Sequence, residues 1–328
     1  MSFNTLLHAP LYLLAAFGLA ALALGGMLAA PLKRPPPLAS VHAGAIKIDA
    51  TEKPDLSRFQ ARDGTWLAYR LYPAATGEKD RVAILAHGSS ASSDEMNAAA
   101  KALAAAGVTA VAIDVRGHGA SAGRGDIGHI GQLEDDLADL LDRLGEAYPN
   151  ARFQLIGHSL GGGFAARVSG TPVGQRFERF ILLAPFLGPD APTSGAGNRR
   201  WASADTPRII ALVILRSFGI ELGQSLPVIA YANVPSAAKA TTSVYSFRLL
   251  TDYGPDFDWA KMQSTIRSAG AKIKVIAGVK DELMDAPLYE RELKPLGAEV
   301  KLLPGVDHVG VVYEPAALAA IVETVKAP

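Results

Sequence analysis

Residues 152–168 read RFQLIGHSLGGGFAARV, an apolar run that leads into the pattern Gly-x-Ser-x-Gly and then into small residues. The run has the length and composition of a buried strand, and the small residues after Ser159 suit a helix packed closely beside it. A sharp strand-to-helix turn needs small flanking residues, and it exposes the side chain at its centre. The alternative is a glycine-rich turn in which Ser159 only caps the helix. The context favours a Ser159 that lies at the end of a strand and has its Oγ directed outward from the turn.

Apolar runs alternate with helical stretches on both sides of this segment. The predicted strands are residues 82–86, 108–113, 152–157, 180–184, 272–278 and 300–304. A helix between the second and third strands has one leucine-rich face, formed by Leu133, Leu137, Leu140, Leu141 and Leu144. This alternation predicts an α/β domain with a mostly parallel, doubly wound sheet and helices on both faces. Two short alternating runs separated by Asp63 and Gly64 predict a hairpin before it.

The alternation is interrupted between residues 185 and 263. Sheets of this kind bind ligands at the strand ends, so an insertion there predicts a helical lid. Its apolar run at 209–215 and its several aromatic residues fit two interpretations. One is binding of an acyl chain, and the other is an ordinary helical subdomain whose apolar side chains cover one another.

The first 32 residues predict a transmembrane segment. Residues 11–30 carry no charge, and about 20 apolar residues in a helix suffice to cross a bilayer. A cleaved signal peptide is the alternative, although no lysine or arginine precedes the run. Lys33 and Arg34 follow it, so the positive-inside rule favours a single-pass anchor with the remaining chain on the cytoplasmic side.

The proline-rich residues 33–56 predict an extended linker, with an ordered arm on the domain as the alternative. The globular domain then occupies residues 57–328. Nucleic acid is not expected as a partner, because 32 basic and 32 acidic residues leave the chain without a net charge that would attract it. The chain has no cysteine, so a nucleophile must be an oxygen or an amine.

A serine hydroxyl needs a base and a group that orients the base. His308 follows the last predicted strand, whereas His8 and His42 precede the domain and His158 is expected to point to the other side of the turn. Asp281 follows the preceding strand, which gives the order Ser, Asp, His. Asp285 remains the alternative acid.

Two backbone N–H groups are expected to bind a developing oxyanion. One belongs to Leu160, which begins the helix after Ser159, and the other to Ser89, in the loop after strand 82–86. Asp114 and His118 lie in a turn after another strand, without further clustered ligands. We therefore expect neither a metal nor a cofactor.

Several segments together resemble the α/β-hydrolase superfamily, in particular its monoglyceride lipase and lysophospholipase-like branch. The matching segments are AHGSS (86–90), DVRGHGAS (114–121), GHSLGG (157–162), GVKDE (278–282) and GVDH (305–308). The resemblance covers residues 57–326, with the insertion unmatched. It implies a triad of Ser159, Asp281 and His308, an oxyanion hole at Ser89 and Leu160, and a structural turn at 114–121.

The sequence therefore predicts a serine hydrolase that cleaves carboxylic esters, with monoacylglycerols and lysophospholipids as candidate substrates. A peptidase or an acyltransferase on the same triad is one alternative. For an aminopeptidase, acidic residues of the insertion would have to bind the substrate amine; the candidates are Glu221, Asp252, Asp256 and Asp258. A membrane-tethered binding domain without activity is a further alternative.

Overall fold

The computed structural model describes residues 3–48, 51–75, 80–233 and 241–328, with side chains from residue 12 onward. Within these ranges the strands are β1 (Leu56–Gln60), β2 (Trp66–Tyr72), β3 (Arg81–Ala86), β4 (Thr109–Ile113), β5 (Arg152–His158), β6 (Phe177–Leu183), β7 (Ala202–Ala204), β8 (Pro227–Tyr231), β9 (Val244–Ser246), β10 (Ile273–Gly278) and β11 (Glu299–Leu303). The helices are α1 (Phe3–Ala29), α2 (Ala39–Ile46), α3 (Asn97–Ala105), α4 (Gln132–Ala147), α5 (Leu160–Val168), α6 (Asn198–Trp201), α7 (Thr206–Ser217), α8 (Phe247–Tyr253), α9 (Trp259–Ala269), α10 (Ala286–Leu293) and α11 (Pro315–Lys326).

Eight of the described strands form one twisted sheet, in the order β1-β2-β4-β3-β5-β6-β10-β11. From β4 to β11 all neighbours are parallel, while β2 runs antiparallel to both β1 and β4. The predicted doubly wound sheet and its entrance hairpin are therefore confirmed. Parallel strands point their carboxyl ends to one edge, so the loops after β3, β5, β10 and β11 meet there.

Helices cover both faces of the sheet, as the apolar strands require. On one face α3 and α11 pack against each other and against the strands. On the other face α4 contributes the predicted leucine stripe, and all five of its leucines are buried. The helix α5 packs directly on β5 and β6, which fixes the start of this helix at the carboxyl edge of the sheet.

The insertion at 185–263 contains more than the helices predicted from sequence. The strands β7, β8 and β9 form a second, antiparallel sheet, and α6, α7 and α8 surround it. These strands span only three to five residues, too few for a recognisable alternation of polar and apolar positions. Their pairing is settled by tertiary contacts, which a local pattern does not contain.

The N-terminal helix α1 contains an 18-residue stretch, Tyr12–Ala29, with a mean hydropathy of 2.0 and none of it buried. By length and composition it suits a membrane span, and a signal sequence has the same features. Its carboxyl end contacts the insertion, because the Arg208 guanidinium donates to the carbonyl oxygens of Leu28 (3.0 Å) and Ala30.

The segment predicted to be an extended linker differs from that prediction at α2. This helix lies on the domain, and its only buried residue is Gly44. Leu38, just before the helix, donates its N–H to the carbonyl oxygen of Ala232 in the insertion at 3.2 Å. Residues 31–38, which include the proline run, form neither helix nor strand, whereas Leu38 and Val41 gain burial against the domain.

Candidate active site

Ser159 occupies a strained turn between β5 and α5, with φ 53° and ψ −115°. Few non-glycine residues adopt a positive φ, and they concentrate at functional sites. The turn also requires Gly157, because a Cβ at that position would come within 2.0 Å of the carbonyl oxygen of Gly161. The Gly-x-Ser-x-Gly pattern thus reflects the close approach of backbone segments that holds Ser159 at the strand end.

The loop after β11 brings His308 to this serine. Nε2 of His308 lies 3.0 Å from Oγ of Ser159, and Nδ1 lies 2.9 Å from Oδ2 of Asp281. The histidine is almost fully buried, so its ring is held by these partners and not by solvent. This hydrogen-bonded chain of carboxylate, imidazole and hydroxyl can transfer a proton from the serine.

Asp281 is fixed at both of its carboxylate oxygens. Oδ2 faces His308, while Oδ1 accepts the backbone N–H groups of Leu283 at 2.9 Å and Met284 at 2.8 Å. The alternative acid, Asp285, is exposed and immediately precedes α10. Of the two candidates, the structure therefore places Asp281 against His308.

The two side chains perturb each other's ionisation. Burial alone would lower the pKa of His308, but the Asp281 carboxylate outweighs it and raises that pKa above the ordinary 6.5. Burial alone would raise the pKa of Asp281, but the attraction of His308 and the backbone donors lower it. A base whose charged form is stabilised in this way accepts the serine proton more readily.

Ser89 and Leu160 both border a cavity that also contacts Ser159. Leu160 is the first residue of α5, where backbone N–H groups have no partner within the helix. The Ser89 hydroxyl accepts a hydrogen bond from Nε1 of Trp201 at 2.8 Å, which ties this loop to the insertion. The structure thus brings both predicted oxyanion residues to the serine.

Two cavities meet at Ser159, and Ser89 and Trp201 border both of them. The larger, of about 880 Å³, extends under the insertion and is lined mainly by apolar side chains, among them Phe186, Ile209, Val213, Phe247 and Leu250. The smaller, of about 310 Å³, lies on the side of His308 and has a more polar lining, which includes His42, Ser92, Asp94, Glu95 and Asn233.

Comparisons with known proteins show what this chain is similar to. Residues 77–238 match the family model described as serine aminopeptidase, S33. A soluble variant of monoglyceride lipase from Saccharomyces cerevisiae superposes with a TM-score of 0.62 at 17% identity, covering 85% of this chain and 95% of that one. The chain has the α/β-hydrolase fold.

Two further relatives of this α/β-hydrolase are informative. A bacterial membrane phospholipase A superposes over the full length of both chains with a TM-score of 0.57 and 19% identity. The probable esterase PIR7A of Oryza sativa subsp. indica is 38% identical over 94 residues, which is 29% of this chain. The match spans only a third of the length of that rice protein. The structural likenesses confirm the predicted α/β-hydrolase fold.

Two histidines lie at the site of this α/β-hydrolase although their positions in the chain had excluded them as candidates for the base. The ring of His158, expected on the far side of the turn, lies 5.0 Å from that of His308, and its Nε2 is 3.1 Å from the His308 carbonyl oxygen. His42, which precedes the domain, lines the smaller cavity because α2 folds back onto it. His158 belongs to the Gly-x-Ser-x-Gly segment, but the pattern does not show which way its ring points, and His42 belongs to no local motif.

Glu95 and Trp201 are site residues that the sequence analysis did not single out. Glu95 precedes α3, and its carboxylate accepts the N–H of Gly88 and faces Nδ1 of His158 at 3.2 Å. An acidic residue shortly after the predicted loop at Ser89 was the available signal. Trp201 is one of the aromatic residues of the insertion, and its contact with Ser89 depends on how the insertion folds.

The turn at 114–121 is held by hydrogen bonds around Asp114. Its carboxylate accepts the N–H groups of Ser93 and Ala120, both at 2.7 Å. Within the described ranges no cluster of three potential ligands could hold a metal ion.

Proposed function

We propose that this α/β-hydrolase is a serine hydrolase that cleaves carboxylic esters with a long apolar acyl chain and a small polar alcohol. One observation carries the proposal: the Asp281–His308–Ser159 hydrogen-bonded chain lies where an apolar cavity and a more polar cavity meet. A hydroxyl with its base at the junction of two such cavities suits a substrate with one apolar half and one polar half.

In the proposed mechanism, Oγ of Ser159 attacks the ester carbonyl carbon while Nε2 of His308 takes its proton. Asp281 holds the imidazole tautomer and stabilises the imidazolium that forms. The N–H groups of Leu160 and Ser89 bind the negative oxygen of the tetrahedral intermediate. Collapse of that intermediate breaks the ester bond, and His308 gives its proton to the departing alcohol. Water, deprotonated by His308, then releases the carboxylic acid and restores Ser159.

The larger cavity is the proposed site of the acyl chain. Its lining is mainly apolar, and each methylene group moved from water into such a lining contributes about 0.8 kcal/mol. Two arginines also border it, Arg199 and Arg216, and both are exposed, so they lie at its outer surface. A long chain would therefore extend from the serine under the insertion.

The smaller cavity is the proposed site of the alcohol. Hydroxyl, amide and imidazole groups in its lining can hydrogen-bond a glycerol moiety. Two carboxylates, Asp94 and Glu95, also border it, and no lysine or arginine does so among the described residues. Asp94 is paired with Lys53 and Arg70, which lie outside this lining. A phosphodiester would therefore meet the charge of Glu95 without a cation in the lining, and we favour a monoacylglycerol over a lysophospholipid.

The helix α1 is proposed to anchor the enzyme in the membrane as a single span. At 1.5 Å per residue its 27 residues extend roughly 40 Å, which exceeds the hydrocarbon thickness of a bilayer. Lys33 and Arg34 just after it favour the cytoplasmic side for the catalytic domain. Anchoring gives the active site access to lipid esters at the surface where they are concentrated.

An aminopeptidase is the second candidate, since the matching family model carries that description. The four acidic residues that would have to bind a substrate amine are either engaged in other contacts or exposed to solvent. Asp252 is buried and accepts the N–H groups of Gly131 and Leu133. Asp256 pairs with Lys261, Asp258 caps α9, and Glu221 is exposed. None of the four lines either cavity in the described part of the chain. The two carboxylates that do border the smaller cavity have other partners, Asp94 with Lys53 and Arg70, and Glu95 with Gly88 and His158. We therefore favour the ester hydrolase.

The proposal is tested with the full chain in detergent micelles or vesicles. A fluorophosphonate probe should label the wild type and leave Ser159→Ala unlabelled. Turnover should increase with acyl length in a p-nitrophenyl ester series, and 1-monoacylglycerols should be cleaved faster than lysophosphatidylcholines of equal chain length. Absence of labelling, or equal labelling of Ser159→Ala, would overturn the enzyme assignment. A preference for aminoacyl amides over esters would favour the peptidase.

A further inference from the structure

We infer that the arm between the membrane helix and the catalytic domain is part of the substrate site: α2 forms one wall of the alcohol cavity and limits the size of the alcohol. This inference rests on the proposed function, since it concerns the alcohol half of the ester. The arm is residues 31–48, which follow α1 and comprise an extended stretch, α2 and the turn after it.

Four arm residues line the smaller cavity, opposite the loop that carries Ser89. They are Val41, His42, Ala45 and Ile48. Successive members are one, three and three positions apart, which places them along one side of α2 and the turn that follows it. The same cavity is bordered by Ser159 and His308, so a leaving alcohol next to the serine would lie between the catalytic groups and α2.

The contact between α2 and the catalytic loop is close. A Cβ added to Gly44 would lie 2.8 Å from the Cβ of Val309, the residue after His308. Gly44 therefore lets the helix backbone approach this loop more closely than any larger residue would allow. Val41 packs against the hydrophobic clusters on both faces of the sheet, and Ile48 packs against one of them.

The arm is also tied down before α2. Arg208, which is nearly buried in the insertion, donates to the carbonyl oxygens of Leu28 and Ala30 at the end of α1. Leu38 donates its N–H to Ala232, farther along the insertion. With its start held by the insertion and Gly44 against the His308 loop, the arm is a fixed wall of the cavity and not a free tether.

Ala45 and Ala43 provide a matched pair of positions to test this wall. Both are exposed alanines of the same helix, but only Ala45 lines the cavity. Ala45→Trp should reduce the space for the alcohol, whereas Ala43→Trp should project away from it. Gly44→Leu should act in the opposite direction, because the added side chain forces α2 away from Val309 and widens the cavity.

The experiment compares kcat/KM for 1-monooctanoylglycerol and methyl octanoate, which share an acyl chain and differ in the alcohol, using the full chain in micelles. Ala45→Trp should lower the glyceryl-to-methyl ratio at least fivefold, Ala43→Trp should leave it within twofold, and Gly44→Leu should raise tolerance for alcohols larger than glycerol. An unchanged ratio in Ala45→Trp, or an equal change in Ala43→Trp, would overturn the inference.

A second measurement separates this inference from the proposed function. Two fluorophosphonates with the same alkyl chain, one with a methoxy and one with a bulky alkoxy group, report the space beside Ser159 without ester turnover. If the wild type is labelled but cleaves no ester, the proposed function fails. Selective slowing of the bulky probe in Ala45→Trp would still support the wall, and equal slowing of both probes would contradict it.

Discussion

The carboxylate of Glu95 lies 3.2 Å from Nδ1 of His158, beside the proposed catalytic triad. The same carboxylate accepts the N–H of Gly88, which precedes Ser89, and Nε2 of His158 lies 3.1 Å from the carbonyl oxygen of His308. Burial would raise the pKa of Glu95, but the nearby His158 lowers it and keeps the group ionised. One buried charge thus connects the oxyanion loop to the backbone of the proposed base.

Glu95→Gln should lower kcat about tenfold with KM within about twofold, because a neutral amide is a weaker acceptor for the Gly88 N–H than a carboxylate and places no charge beside His158. The measurement is steady-state turnover of a monoacylglycerol. Glu290→Gln, which removes an exposed carboxylate paired with Lys294, is the control and should not change kcat. An increase in KM with kcat unchanged would show that Glu95 acts in binding the substrate and not in positioning the loop.

Asp281→Asn should lower kcat by about 10⁴-fold, since an amide no longer stabilises the imidazolium of His308 or selects its tautomer. Asp285→Asn is the same change four residues away, at an exposed position, and should leave kcat within about twofold. Single-turnover measurement of ester cleavage separates the two. Comparable losses in both variants would contradict the assignment of Asp281 as the acid.

On the acidic side of the pH profile, kcat/KM should fall with a midpoint above pH 6.5. The Asp281 carboxylate raises the pKa of His308 above its ordinary 6.5, and catalysis needs the neutral imidazole, so activity is lost as the pH falls through that raised pKa. In Asp281→Asn the burial remains and only the carboxylates of Glu282 and Glu95 still favour the imidazolium, so the pKa of His308 should fall. Imidazole NMR titration of both proteins measures the change in the pKa of His308. If kcat/KM falls at the same pH in both proteins, this account is contradicted.

Val213→Trp should shorten the preferred acyl chain, because Val213 lines the larger cavity and indole would occupy part of it. Loss of room for two methylene groups corresponds to about 1.6 kcal/mol, or roughly tenfold in the ratio of kcat/KM for long and short esters. Val213 and Ile214 are both exposed residues of α7, but Ile214 does not line that cavity, so Ile214→Trp is the matched control. Equal effects of the two substitutions would point to a general disturbance of α7.

The predicted fold was confirmed because its signals are local. A buried parallel strand needs an unbroken apolar run and an amphipathic helix needs an apolar stripe, so β5 and the leucine face of α4 are both visible in the sequence. Ser159, Asp281 and His308 were predicted for a related reason. Each follows a strand of the parallel part of the sheet, and the carboxyl ends of parallel strands meet at one edge.

Other features of the site depend on contacts between distant residues. The short strands β7, β8 and β9 carry too little pattern to be predicted as strands. His42 precedes the domain by sequence, yet it lines the alcohol cavity. The contrast between Asp281 and Asp285 likewise depends on loop geometry, which turns one carboxylate toward His308 and leaves the other in solvent.

The sequence by itself determined the doubly wound sheet, the strained turn at Ser159 and the apolar N-terminal segment, since each follows from the order of neighbouring residues. The tertiary structure alone decided that Glu95 faces His158 and that α2 packs against Val309 beside His308. These contacts form only after the sheet has brought its loops to one edge, where shape and charge complementarity select partners that no local pattern records.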